Sequence, residues 1–203
     1  YEVHRGLATT GVVGTLRRGT GGKRLGLRAD MDALPIHECS GKPWASRHAG
    51  VMHACGHDGH TAMLLAAARH LAEQSHFDGT LHLIFQPAEE HPGGAKLMIE
   101  QGLFERFPCD AVFAMHNMPG TPQGHFVLRD GPAMASSDDV TITLHGVGGH
   151  GAMPHRATDP VVAAASIVMA LQTIVSRNVD PRQTAVVTVG ALQAGRANNV
   201  IPA

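Results

Sequence analysis

Alternating apolar and polar positions predict short elements along the first 120 residues. Residues 24–31 and 80–86 are typical of strands, the second with Leu81, Leu83 and Phe85 on one face. Residues 61–74 and 94–101 have the spacing of helices. The all-apolar run 111–115 is typical of a strand buried on both faces. Strands and helices in alternation predict an α/β fold with a parallel sheet.

The pattern changes near residue 120. Residues 125–129, 138–145 and 184–189 alternate in the manner of strands. A long helix is predicted from Pro160 to about Arg177, with Asp159 as its N-cap and Pro160 at its first position. We therefore expect two domains, over residues 1–120 and 121–203, and expect the second to be α+β.

Composition excludes several classes of partner. The chain has 16 Lys and Arg against 17 Asp and Glu, and no basic run of the kind that nucleic acid or an anionic membrane needs. Its longest apolar runs are far shorter than the ~20 residues of a membrane span, so we expect a soluble protein. The three cysteines have no framework spacing and favour a reducing compartment, such as the cytoplasm.

Groups that bind metals gather where the predicted strands end. Nine of the 15 histidines lie between residues 37 and 91. The candidate residues are Asp30 and Asp32, the segment 53–60 (HACGHDGH), Glu89 and Glu90, and His116. Taken singly, each is also compatible with a solvated strand end or a capped loop. Because open parallel sheets bind ligands at the carboxyl ends of their strands, thiol, imidazole and carboxylate groups there together predict a divalent-metal site.

Five segments carry a specific resemblance in the same order along the chain. They are RADMDALPI (28–36), MHACGHDGH (52–60), FQPAEE (85–90), GGHGAMPH (148–155) and NVIP (199–202). This set closely resembles the metal-dependent amidohydrolases that include hippurate hydrolases, N-acyl-L-amino acid amidohydrolases and auxin-conjugate hydrolases. The resemblance implies an α/β catalytic domain with two divalent ions, interrupted by a smaller lid or dimerisation domain.

The resemblance also implies roles for individual residues. The implied metal ligands are Cys55 as a bridging thiolate, His57 and His116 on one ion, and Glu90 on the other. Glu89 corresponds to the general base, and Asp32 to a carboxylate that orients a ligating imidazole. In the lid, either His150 or His155 is implied to stabilise the oxyanion, and Asn199 to bind the carboxylate end of the substrate or to assist that role.

The implied activity is hydrolysis of the amide bond of N-acyl amino acids by a homodimer that forms through its lid. Zinc, manganese, cobalt and nickel all accept this donor set, so the metal stays open. Relative to the family, a preceding helix and a later fifth ligand, a histidine, are missing. We therefore expect a chain truncated at both ends, and the activity of this part alone is an open question.

Three alternatives compete with this interpretation. Residues 146–151 fit G-x-G-x-x-G after a predicted strand, but Pro154 interrupts the helix that dinucleotide binding needs there. A cysteine hydrolase would use Cys55 as its nucleophile, although Cys55 and His57 are better spaced to share an ion. The third alternative is a metal-binding or dimerising module without turnover.

Overall fold

The computed structural model of the chain describes residues 1–74, 76–90 and 93–203. These residues form two compact units, Tyr1–Val127 and Leu128–Ala203. One histidine of the dense region noted above, His91, lies outside the described residues. The identity of the two parts as a catalytic domain and a lid stays a prediction.

A five-stranded mixed sheet forms the centre of the first unit. Its strands are β1 (Glu2–Leu7), β2 (Gly11–Arg18), β3 (Arg24–Asp30), β4 (Gly79–Gln86) and β5 (Ala111–Ala114). They lie in the order β1-β2-β4-β3-β5. Strand β3 pairs in parallel with both β4 and β5, which confirms the three predicted strands and the α/β class. The hairpin β1–β2 extends this parallel part with antiparallel pairing.

Strand β4 is buried along its whole length because it has strands on both edges and apolar contacts on both faces. The described part of the first unit has three helices, α1 (His57–Glu73), α2 (Gly94–Glu100) and α3 (Leu103–Arg106). On one face of β4, Leu81, Leu83 and Phe85 pack against α1, as the alternation predicts. On the other face, Ile84 packs in a cluster with Met98 of α2. Helix α1 begins four residues before its predicted start, within the candidate segment 53–60.

The prediction that β5 is buried on both faces is wrong. All four residues of β5 are exposed, with Phe113 at 60%. The reason is topological, since β5 pairs only with β3 in the described part of the chain and therefore forms an edge of the sheet. An apolar run alone does not distinguish a central strand from an edge strand.

The second unit contains the predicted long helix, α4 (Pro160–Thr173), continued by a π-helical segment, Ile174–Asn178. The Asp159 carboxylate accepts hydrogen bonds from the amides of Val161 (2.8 Å) and Val162 (3.4 Å), which confirms the N-cap. The continuous segment Pro160–Asn178 has a mean hydropathy of 1.5. Its length and composition, taken alone, are sufficient for a membrane span, and none of it is buried.

The three strands predicted after residue 120 are absent from residues 125–129, 138–145 and 184–189. Their alternating apolar residues are exposed, as Val140 (78%) and Val186 (79%) illustrate. A strand needs a hydrogen-bonded neighbour, and in the described residues these segments have none. The strand pairing that does form is short, between β6 (Gly149–His150) and β7 (Val200–Ile201).

His82 on β4 provides a pH-dependent test of the core. Burial lowers the pKa of its imidazole, and the charges of Arg24 and Arg17 lower it further. Because the unfolded chain binds the proton more readily, the free energy of unfolding should fall as the pH drops below about 6.5. His82→Gln should flatten this decline in urea titrations between about pH 6.5 and about pH 5. His70→Gln, at an exposed site of α1, should retain the decline, and equal slopes in the two variants would contradict the prediction.

Candidate metal centre

The candidate residues meet at one edge of the first unit because β3, β4 and β5 run parallel and end together. Helix α1 begins at the same edge, where the Thr61 hydroxyl donates to the carbonyl of Asp30 (3.0 Å). The convergence predicted from the strand ends is therefore present in the fold.

Among the described residues, three groups of side chains bring their ligand atoms within 4.8 Å of one another. The groups are Cys55, His57 and His116; His57, Glu89 and Glu90; and Asp30, His57 and His60. His57 belongs to all three. The metal ligands and the general base expected from the sequence thus lie together around one imidazole, while Asp30 and His60 form a further side of the cluster.

Gly56 allows the chain to place Cys55 and His57 on either side of one turn. Its φ of 82° lies in the left-handed region that favours glycine. A Cβ atom at this position would lie 2.5 Å from Oδ1 of Asn117. Glycine is therefore required here both by the backbone conformation and by the close approach of Asn117.

His57 has one ring nitrogen engaged and one available. Its Nδ1 lies 3.1 Å from Oδ1 of Asp32, and its side chain is fully buried. Its Nε2 is buried without a hydrogen-bond partner in the described residues, and lies 3.9 Å from Oε1 of Glu90. A buried unpaired nitrogen requires an explanation. A divalent cation fits, because the neutral imidazole offers a lone pair toward sulfur, nitrogen and oxygen donors.

Asp32 connects this imidazole to the loop that carries the two glutamates. One carboxylate oxygen contacts His57, and the other accepts a hydrogen bond from the backbone amide of Glu90 (3.0 Å). Burial raises the pKa of the Asp32 carboxyl, but hydrogen bonds from the Glu90 and Glu89 amides and from His57 more than offset this, and the pKa lies below its usual value. Asp32 therefore stays ionised at neutral pH and can hold His57 in one tautomer.

The turn between β4 and the glutamates has an uncommon backbone. Ala88 has a φ of 50°, in the left-handed region, which costs about 1–2 kcal/mol for a residue with a Cβ. The carbonyl of Ala88 accepts a hydrogen bond from the amide of Gly94 (2.8 Å), which stabilises the turn. This turn directs Glu89 and Glu90 back toward His57.

A second buried carboxylate, Asp30, contacts His60. Oδ1 of Asp30 lies 2.6 Å from Nδ1 of His60, and Oδ2 pairs with Arg28 at 2.8 Å. Burial raises the pKa of Asp30, but the His60 hydrogen bond and the Arg28 charge outweigh it and keep the pKa low. His60 lies within the candidate segment 53–60, but its contact with Asn117 does not follow from the sequence. The spacing of the histidines could have indicated that His60 lies beside His57, since residues three apart on a helix share a face.

Cys55 has the geometry of either a ligand or a nucleophile, since its Sγ lies 3.5 Å from Nε2 of His116. Its electrostatics differ from those of a nucleophile. Burial raises the pKa of the thiol to about 11, and the nearby carboxylates, led by Glu90, contribute to the rise. A thiol protonated at neutral pH is a poor nucleophile. A bound divalent cation would favour the thiolate, so the surroundings of Cys55 favour a metal ligand.

A cavity of about 630 Å³ opens beside the cluster in the first unit. Its wall includes Asp32 and Glu90 together with the apolar side chains of Met31, Leu34 and Pro87. This volume lies within the usual range of small-molecule sites. A small apolar group can therefore be held next to the carboxylates.

The remaining expected residues belong to the second unit. His150 lies on β6 opposite Val200, and its Nδ1 accepts a hydrogen bond from the amide of Ala152 (3.1 Å). The carbonyl of Asn199 accepts from the amide of Gly151 (2.8 Å), which places Asn199 beside the same strand end. His155 lies in a separate 3-10 turn, Pro154–Arg156, and is exposed.

Comparisons with known proteins agree with this chemistry. Residues 26–200 match the family described as peptidase family M20/M25/M40. The chain is 56% identical over 202 residues to a hippurate hydrolase from Campylobacter jejuni, covering 100% of this chain and 52% of that protein. It is 48% identical over 194 residues to an N-acetyl-L-cysteine deacetylase from Bacillus subtilis, covering 95% of this chain and 46% of the relative.

A solved structure from the same family has a similar fold. A dinuclear metal-binding peptidase of the M20 family from Bacillus subtilis has a TM-score of 0.67 and 36% identity to this chain. The match covers 99% of this chain and 51% of that one. The chain therefore spans about half the length of the relatives it matches.

Proposed function

This chain belongs to peptidase family M20/M25/M40, and from that premise we propose that it forms part of a metal-dependent hydrolase of N-acyl amino acids. The observation that carries the proposal is the unpaired Nε2 of the buried His57, with a thiol, an imidazole and two glutamates around it. The names of the two relatives agree with it, since both describe release of an acyl group from an amino acid.

In this proposal two divalent ions bind at the cluster. Cys55, His57, His116 and Glu90 would hold the ions. When bound, such ions polarise a carbonyl oxygen and lower the pKa of water. Zinc, manganese, cobalt and nickel all suit the donors. Thiolate ligation needs a reduced Cys55, and all three cysteines are free, so we place the protein in a reducing compartment such as the cytoplasm.

Glu89 is the general base in this proposal, and the different burial of the two glutamates supports the assignment. Glu90 is half-buried, and its amide is held by Asp32. Glu89 is exposed within the same cluster, where its carboxylate is accessible to water and substrate. It accepts a proton from the attacking water and returns it to the leaving amine, as general acid–base catalysis requires.

The residues of the second unit act on the substrate in this proposal. Because Nδ1 of His150 accepts a hydrogen bond, the neutral ring carries its proton on Nε2 and can donate it to an oxyanion. This contact and the nearby Asn199 favour His150 over His155 for that role. Asn199 then binds the carboxylate end of the substrate or assists the oxyanion contact.

Homodimerisation through the second unit is part of the same proposal. Several apolar residues of α4 are exposed, including Val162 (63%) and Met169 (70%). Exposed apolar surface of this kind is typical of interaction sites. A symmetric dimer could then bring a histidine of one lid to the catalytic site of the partner.

Substitution of the base tests the proposed activity. In a protein of full family length that carries this chain, we expect hydrolysis of hippurate and N-acetyl amino acids, assayed as a panel. Glu89→Gln should lower turnover by about 100-fold or more, the scale of a lost general base, while mass spectrometry finds the bound metal unchanged. The control Glu73→Gln, at the C-terminal end of α1 and away from the candidate centre, should retain activity. Full activity of Glu89→Gln would contradict the assignment, and a metal-loaded wild type inactive on the whole panel would contradict the function.

Substitution of the thiol separates the metal-ligand role from the nucleophile role. Cys55→Ser should lower metal occupancy in the same full-length protein, because serine provides no thiolate to bridge the ions. The exposed Cys39 gives the matched control Cys39→Ser, which should keep full occupancy. Unchanged occupancy in Cys55→Ser, together with a covalent acyl adduct of the wild type in intact-mass analysis, would support the cysteine nucleophile instead.

Mixing experiments test the contribution of the lid. Full-length Glu89→Gln and His150→Ala proteins should each be weakly active, but a refolded equal mixture should regain up to about a quarter of wild-type activity, because each heterodimer has one site with both groups intact. His155→Ala is the parallel test of the other histidine. A fully active monomer in gel filtration, or no recovery with either histidine variant, would contradict the role of the lid in the partner's site.

A further inference from the structure

A buried polar network lies behind the proposed metal ligands. His60 is 3% exposed and Asp30 is 1% exposed. Nδ1 of His60 lies 2.6 Å from Oδ1 of Asp30. On its far side, Asp30 pairs with Arg28, whose Nε donates to Oε1 of Gln86 (2.7 Å). The Nδ1 side of the His60 ring is therefore held by groups on β3 and β4.

The Nε2 side of the His60 ring faces Asn117. Nε2 of His60 accepts a hydrogen bond from the backbone amide of Asn117 (3.0 Å) and lies 2.6 Å from Oδ1 of the same residue. The Asn117 side chain also occupies the space that a Cβ on Gly56 would need. Asn117 is thus held between α1 and the loop that joins Cys55 to His57.

Asn117 follows His116 directly, so these contacts act on a proposed ligand. His116 comes after the short edge strand β5 and is itself exposed. Its ring centroid lies 4.6 Å from that of His60 and 6.0 Å from that of His57. Without the contacts of Asn117, a residue two positions beyond an edge strand would have considerable conformational freedom.

Stability alone is a weak explanation for the network. Burying a carboxylate and an imidazole is costly, and well-packed apolar residues are often equally stabilising or better. What the polar groups add is fixed direction, since a hydrogen bond at each ring nitrogen sets both the tautomer and the orientation of His60. The network therefore fits a requirement that the His60 ring keep one fixed orientation.

We propose that His60 and Asn117 are positioning residues that place His116 against Cys55 and His57, with Asp30 and Arg28 holding His60. This inference rests on the proposed metal centre. Metal ligands held by outer hydrogen bonds typically lose about 10- to 100-fold in affinity when those bonds are removed. The same loss is expected here although neither residue is one of the proposed ligands.

Cobalt(II) titration of this chain tests the inference without an activity assay. The near-ultraviolet absorption from thiolate to cobalt reports binding at Cys55, with Cys55→Ser as the blank. Asn117→Ala keeps the backbone amide that donates to His60 but removes the side chain that packs against Gly56 and lies against Nε2 of His60, so cobalt binding should weaken by about 10-fold. Because Asn117 is exposed, its thermal unfolding midpoint should stay close to that of wild type. His70→Gln, at an exposed histidine of the same helix, should leave both quantities unchanged.

Two conservative variants of His60 separate positioning from a merely structural role. His60→Asn keeps a donor near Asp30 but cannot reach Asn117, whereas His60→Gln offers an amide oxygen near the former Nε2, where it can accept from the Asn117 amide. We expect His60→Gln to bind cobalt more tightly than His60→Asn, whichever of the two unfolds at the lower temperature.

Wild-type cobalt affinity in Asn117→Ala would overturn the positioning role. So would affinities of the His60 variants that simply follow their unfolding temperatures. If wild type shows no thiolate–cobalt absorption that Cys55→Ser abolishes, the proposed metal centre itself fails, and this inference with it. If His60 variants do not fold, Asn117→Ala decides the question alone, because its side chain is removed from an exposed position.

Discussion

The carboxylate of Asp32 makes the contacts on which the rest of the centre depends. It holds the ring of His57 with one oxygen and the backbone amide of Glu90 with the other. It thereby joins three segments that are far apart in the sequence, namely the end of β3, the start of α1 and the turn after β4. Because these hydrogen bonds keep the pKa of Asp32 low, the carboxylate is ionised at neutral pH and the arrangement persists.

The first unit is predictable from the sequence wherever the determining pattern is local. The alternation of Leu81, Leu83 and Phe85 identifies a strand and puts these three side chains on one face, which packs against α1. The ends of three parallel strands then indicate which polar residues meet, because parallel strands end at one edge. The family resemblance adds roles for single residues, such as Glu89 as base and Glu90 as ligand, which neither periodicity nor spacing provides.

Features that depend on partners distant in the sequence are not predictable from local patterns. The register of β2 is set by pairing with β4, as in Thr15 opposite His82, and the pattern of apolar residues does not predict the hairpin. In the second unit, the alternation of Val140 and Ile142 is real, but alternation yields a strand only when a neighbour supplies hydrogen bonds. The contact between His60 and Asn117 is likewise set by topology, since it joins a helix to the end of an edge strand.

The carboxylates of the centre differ in burial in a way that parallels their proposed roles. The exposed side-chain fraction is 1% for Asp30, 16% for Asp32 and 29% for Glu90, and Glu89 is exposed. A carboxylate that only orients an imidazole is best shielded, because exclusion of water strengthens its hydrogen bonds. A ligand needs one open side toward the ion, and a general base must exchange protons with water and substrate. The left-handed backbone of Ala88 lies where this change occurs, at the point where the chain leaves the buried strand for the accessible glutamates.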